Sequence, residues 1–141
     1  MLAFLLKHRS AIIFSTLTVV LFLIMMLVEQ ANGRFWLNDF RVFYEAAQAL
    51  VSNEQVYGVT FGLDTGYYKY SPFTLLFFTP FTLLPFSLAS IVQFWIIVAL
   101  TIYLILTLNK LVNKYVFNLK SNNVFLFLIV LIIILNHLIR E

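Results

Sequence analysis

The sequence predicts an all-α integral membrane protein, with about four membrane helices and an amphipathic helix at the membrane surface in the first external loop. Three observations carry that expectation. Of 141 residues, 62% are hydrophobic and 11% charged, with a mean hydropathy of +0.97, whereas soluble domains hold about half apolar and about a quarter charged residues. The apolar residues arrive in long unbroken runs rather than in the short periodic stretches a water-soluble core needs. One long polar stretch, 29–70, interrupts them and holds five of the six acids, Glu29, Asp39, Glu45, Glu54 and Asp64.

Composition also excludes chemistry. Without cysteine there are no disulfides, thiolate metal sites or thiol nucleophiles. His8 and His137 sit near opposite ends, and the loop acids are dispersed, so no metal site is expected. None of the four glycines falls in a phosphate-cradling pattern, and no cofactor is called for. The net charge of +3 is spread along membrane flanks, which gives no reason to expect a nucleic-acid partner.

Taken in order, 10–28 is long enough to cross about 30 Å of hydrocarbon at 1.5 Å per residue. Lys7, His8 and Arg9 precede it and Glu29-Gln30 close it. Its apolar core is too long for a cleaved signal peptide, so it reads as an uncleaved anchor with its basic end in the cytoplasm. The run 71–85 starts with Ser71 as N-cap and Pro72 in the first turn; Pro80 should kink it and Pro85 end it. It is short, on the order of 21 Å, unless Tyr67, Tyr68 and Tyr70 extend it through the interface. A full-length span follows at 86–108, and a fourth run at 124–138. Four crossings leave Lys110, Lys114 and Lys120 outside, against the positive-inside tendency, while a single crossing by 71–108 would place them in the cytoplasm. Four are nonetheless expected, because 71–108 far exceeds one crossing and breaks at prolines.

Within the loop, 38–51 reads as an amphipathic helix lying in the interface plane, with Phe40, Phe43, Ala47 and Leu50 on one face. Arg41, Glu45, Gln48 and Ser52 occupy the other. Asn38 and Asp39 fall in its first turn, where they either cap the helix and complement its dipole or leave Asp39 available for chemistry. Gly58, Gly62 and Gly66 mark turns. Tyr57, Tyr67, Tyr68 and Tyr70 suit interfacial anchoring, or packing against the C–H face of a sugar. Arg34, Arg41 and Lys69 suit lipid headgroups or a lipid-linked phosphate.

The run Trp36-Leu37-Asn38-Asp39-Phe40-Arg41-Val42-Phe43-Tyr44-Glu45-Ala46-Ala47 leads to Val56-Tyr57, then Tyr68-Lys69-Tyr70-Ser71-Pro72, Thr79-Pro80-Phe81, Leu84-Pro85 and Trp95. In order and spacing this resembles the start of glycosyltransferase family 87, whose members have the GT-C fold. The resemblance implies glycosyl transfer from a polyprenyl-phosphate sugar to a glycan or lipid acceptor hydroxyl, mannosyl or arabinosyl being typical, with a hexosyl group such as mannosyl expected here. It places a multi-pass protein in the cytoplasmic (inner) membrane with this loop on the extracytoplasmic side. Asp39 matches the loop acid that serves as catalytic base in such enzymes. The substrate-binding candidates are then Arg41, Tyr44, Tyr57, Tyr68, Lys69 and Tyr70, with membrane lipids as the surrounding partners. Members of the family are several hundred residues long, and Asn136 to Glu141 resembles the entry to a motif continuing Gly-Gln-x-Asn. The chain is therefore expected to be one membrane domain, 1–141, that is a fragment of a larger one, its missing helices supplied by the rest of that protein or by a second chain. Two other classes fit the size: a non-catalytic four-helix protein such as a lipid-linked-sugar flippase, and a partner subunit.

Overall fold

The computed structural model describes residues 9–33, 35, 37–64 and 66–117; the fourth expected span, 124–138, lies outside them. The described elements are mostly helical: α1 (Arg9–Ala31), α2 (Asn38–Val51), a two-stranded antiparallel hairpin of β1 (Thr60–Phe61) and β2 (Gly66–Tyr67), α3 (Pro72–Phe78), a 3-10 turn (Thr79–Leu83), α4 (Phe86–Val112), and a π turn (Asn113–Phe117). The chain divides into two compact units, Met1–Leu27 with Val98–Glu141, and Val28–Ile97.

In the first unit Phe14 is buried against Ile105, with Ile102 and Leu106 beside them. Most other large side chains of these helical stretches, among them Leu17, Val20, Ile24, Leu100 and Leu104, are exposed. A helix that is apolar all round and uncovered by protein suits a hydrocarbon solvent. Arg9–Ala31 and Phe86–Tyr115 are the two described helices long and apolar enough to cross a membrane. α1 runs one turn beyond the apolar stretch, through Glu29-Gln30-Ala31, and stops where Gly33 takes φ +66, a left-handed end that glycine adopts freely.

The second unit is built around α2. Phe40, Val42, Tyr44, Ala46, Ala47 and Ala49 are all buried, and at about 100° per residue they cover more than half of the helix circumference. The narrow apolar face expected of 38–51 is therefore corrected to a broader one: α2 packs against α3, the 3-10 turn and both strands. The small side chains at 46, 47 and 49 let neighbours close in on several sides. Ala46, Ala47, Ala49, Val56, Tyr68 and Leu75 form one core, and Phe40, Tyr44 and Ala89 another. Among the residues of α2, the polar stripe of Arg41, Glu45 and Gln48 is left outside that packing.

The hairpin meets α2 through glycine. A Cβ at Gly66 would collide with Val42 Cγ2, and one at Gly62 would come within 2.7 Å of Asn38 Oδ1. Gly62 also has φ +76. Turns were expected at these glycines; close backbone approach is what Gly66, in β2, adds.

α3 begins as expected, with Ser71 Oγ accepting from the Phe73 N–H at 3.3 Å and Pro72 in the first turn. Pro80 coincides with the change from α to 3-10 winding rather than with a kink in a continuing helix. Pro72–Leu83 remains a shorter apolar helix, not one of the membrane-length pair.

Candidate functional site

Asp39 lies in the first turn of α2 and is exposed, with no hydrogen bond or ion pair to any described residue. The N-cap is Leu37, in the left-handed region at φ 40, ψ 51, and no side chain caps the helix. A leucine there costs on the order of 1–2 kcal/mol. The capping role expected of Asn38 is corrected: its Oδ1 accepts from the Leu63 N–H at 3.2 Å and holds the hairpin tip. Asp39 keeps the favourable position for a negative charge at a helix N-terminus.

Helix geometry sorts the other candidates. Phe43 follows Asp39 by one turn on the same side of α2, and it carries the tyrosines. Tyr70 stacks on Phe43 with ring centroids 5.1 Å apart, and Tyr68 meets Phe43 edge-on at 5.7 Å. Tyr57 leans on Tyr68 and donates its hydroxyl to the Tyr70 carbonyl at 2.9 Å. Tyr57 and Tyr70 keep exposed ring surface, whereas Tyr68 is 2% exposed and donates to the Ser71 carbonyl at 2.7 Å. Burial raises the Tyr68 pKa above its ordinary value, opposed by a hydrogen bond with the Thr74 side chain and assisted by Tyr57 and Tyr70. Lys69 is exposed and has no partner among the described residues.

Arg41 lies about 200° around α2 from Asp39, so the structure does not bring those two together. Its guanidinium carbon sits 4.4 Å above the Phe86 ring, and its Nε lies 3.4 Å from Glu45 Oε1. Tyr44 is buried, donating its hydroxyl to the Leu84 carbonyl at 2.8 Å and accepting from Gln48 Nε2 at 3.2 Å. Tyr44 and Tyr68 thus offer a ligand little surface and serve to position their neighbours.

Glu45 was read only as part of a polar face, yet it clasps two elements: besides pairing with Arg41, its Oε2 accepts from the Gly62 N–H at 2.7 Å. The Arg41–Glu45 spacing of four was the available signal. Beside this clasp opens a cleft of about 520 Å³ bordered by Glu45, Gln48, Ser52, Glu54, Phe61 and Thr82. Carboxylate, amide and hydroxyl groups next to a ring can hydrogen-bond and pack against a polyhydroxylated ligand. Asp39 does not border this cleft. No group of acids and histidines suited to a metal occurs among the described residues.

As a class, a mostly helical chain with two helices of membrane-crossing length points to a membrane protein. The family model of glycosyltransferase family 87 matches residues 68–140, more than half of the chain, and the chain belongs to that family. Tyr68, Lys69 and Tyr70 open the matched stretch; Asp39, Arg41, Tyr44 and Tyr57 precede it. No curated protein and no solved structure matches the chain.

Proposed function

We propose that the chain takes part in a membrane glycosyltransferase that moves a hexosyl group, mannosyl in the typical case, from a polyprenyl-phosphate sugar to a hydroxyl of a lipid or glycan acceptor. Transfer takes place at the 29–70 loop, on the extracytoplasmic face of the cytoplasmic membrane, with Asp39 as general base. Family membership supports glycosyl transfer. The observation that carries the assignment of the base is an exposed carboxylate, with no partner among the described residues, on the first turn of a helix whose Phe43 side is packed against tyrosine rings.

The chemistry needs little more. The acceptor oxygen attacks the anomeric carbon and forms the new C–O bond. The anomeric carbon–oxygen bond to phosphate breaks, and its electron pair leaves with the polyprenyl phosphate. The acceptor proton passes to the Asp39 carboxylate, which must lie about 3 Å from that oxygen. Phosphate is a competent leaving group, so the second carboxylic acid of a glycosidase is not required. Tyr57 and Tyr70 offer ring faces for a sugar on the Asp39 side. Lys69 is the cation offered to the phosphate on that side, with Tyr44 and Tyr68 positioning this surface; Arg41, on the opposite side of α2, is engaged by Glu45 and the Phe86 ring.

The test is Asp39→Asn in native membranes supplied with labelled polyprenyl-phosphate sugar. The amide keeps the shape and removes the base, so transfer should fall by about 10²–10⁴-fold at an unchanged protein level. Transfer at the unsubstituted rate would rule out Asp39 as the base.

A further inference from the structure

We infer that Pro72–Leu83 does not cross the membrane but docks along one surface of it, its apolar side chains in the boundary between headgroups and acyl chains. The two ends of this segment carry the inference. Just before it, Tyr70 stacks on Phe43 at 5.1 Å. Just after it, the Leu84 carbonyl accepts the Tyr44 hydroxyl at 2.8 Å, and Phe86 lies 5.5 Å from the Tyr44 ring. Phe43 and Tyr44 are consecutive residues of α2. Neighbouring residues on one helix cannot reach both faces of a hydrocarbon layer about 30 Å thick, so both ends of Pro72–Leu83 lie on the side of the membrane where α2 lies.

Length agrees. Seven α residues and a five-residue 3-10 turn rise roughly 20 Å together, well short of a crossing. The segment nevertheless presents a surface that water solvates poorly: Phe73 is 65% exposed, Phe77 66% and Leu83 86%, with Leu76 beside them. Exposed Tyr67, Lys69 and Tyr70 stand at its entry, the residues that settle at headgroup level. A lipid surface matches that arrangement.

Charge placement supplies independent support. No charged residue occurs between Lys69 and Lys110, so a crossing by Pro72–Leu83 would leave the Leu84–Pro85 turn on the cytoplasmic side with no cation. It would also send Lys110 and Lys114, at the end of α4 and in the π turn, to the side opposite Arg9. With Pro72–Leu83 on the surface, α1 and α4 are the crossings between these points. Arg9, Lys110 and Lys114 then share one side, as the positive-inside tendency prefers.

These 141 residues contain no cysteine, so single cysteines placed among them report on their own positions once any cysteine elsewhere in the protein is replaced by serine. Single variants Ser52→Cys, Ser87→Cys and Lys114→Cys are labelled with a membrane-impermeant thiol reagent, before and after permeabilisation of cells expressing the full protein. The expected result is that Ser52→Cys and Ser87→Cys react alike and Lys114→Cys reacts oppositely. Ser52→Cys and Lys114→Cys reacting from the same side would overturn the inference, as would Ser87→Cys reacting from the side opposite Ser52→Cys. The lipid contact is read from a spin label at Phe77→Cys: oxygen should relax it more strongly than a water-soluble nickel chelate. The reverse order would place this face in water and overturn the docking.

Discussion

The two sides of α2 are built on different terms. On the side of Phe43, packing dominates: aromatic rings and alanines exclude water, and one carboxylate, Asp39, stands beyond them with no partner among the described residues. On the side of Arg41 and Glu45, polar contacts do the holding, since each charge is engaged by its neighbour, by a ring or by a backbone N–H. A charge already satisfied is poorly placed to accept a proton from a substrate, and a free one held on a rigid helix is well placed. The contrast is the basis for proposing chemistry on the Asp39 side and positioning on the Glu45 side.

The sharpest way to break that contrast is to neutralise one acid on each side. Asp39→Asn should lower transfer by about 10²–10⁴-fold. Glu54→Gln, at the exposed border of the cleft, should leave transfer unchanged and shift stability by no more than about 0.5 kcal/mol. Measured side by side in one membrane preparation, a loss in Glu54→Gln matching that in Asp39→Asn would move the reacting site to the cleft.

Packing on the buried side should show in stability rather than chemistry. Gly66→Ala drives a methyl into Val42, and such overpacking costs about 1–3 kcal/mol. Gly58, unlike Gly66, has a positive φ, and a Cβ there meets only Gln55 Nε2 at 3.6 Å, so Gly58→Ala should cost only the left-handed backbone strain, about 1 kcal/mol. Denaturation midpoints of the two variants in detergent check the order. An equal or larger loss in Gly58→Ala would mean that the hairpin does not press on α2 as described.

On the polar side, Glu45→Gln and Glu45→Ala separate charge from hydrogen bonding. The glutamine keeps an acceptor for the Gly62 N–H and gives up a half-exposed ion pair, worth about 0.3–0.5 kcal/mol at this spacing. The alanine also leaves that N–H unpaired, for about 1–3 kcal/mol. Equal losses in the two variants, read from the same denaturation curves, would show that the Gly62 bond contributes nothing.

Much of this was legible in the sequence because it is local. The helix over 38–51 follows from periodicity, and Asn38–Val51 has those bounds. The Ser71-Pro72 start follows from side-chain and ring chemistry, a break at Pro80 was expected as a kink and occurs as a change to 3-10 winding, and the family follows from the order of short motifs. What was not legible depends on contacts distant in sequence. Nothing local says that Tyr44 reaches Leu84, that Gly66 meets Val42, or that Tyr68 is a core residue while Tyr67 and Tyr70 are not. For the same reason a proline-broken apolar run invited a crossing: its length and hydropathy are local properties, and the contact of both its ends with α2 is not.

Tyr68 offers the finest test of the buried side. Its phenol is inside the core, and burial, the largest influence, raises its pKa above the unfolded value of 10.0. A group that holds its proton more tightly when folded stabilises the fold fully below the unfolded pKa, and loses that contribution as pH rises through the folded one. The neighbouring Tyr57 and Tyr70 push the Tyr68 pKa further in that direction. Stability should therefore decline above pH 10.0, more steeply in the unsubstituted protein than in Tyr68→Phe. At neutral pH the phenylalanine variant should already lack the bond to the Ser71 carbonyl, a net loss of about 1 kcal/mol. Two denaturation series, neutral and alkaline, separate the effects: the neutral gap measures the hydrogen bond, and its narrowing with pH measures the proton. A gap that stays constant through the alkaline range would mean that Tyr68 ionises no less readily in the folded chain than in the unfolded one, and that the Phe43 side of α2 is wetter than its packing implies.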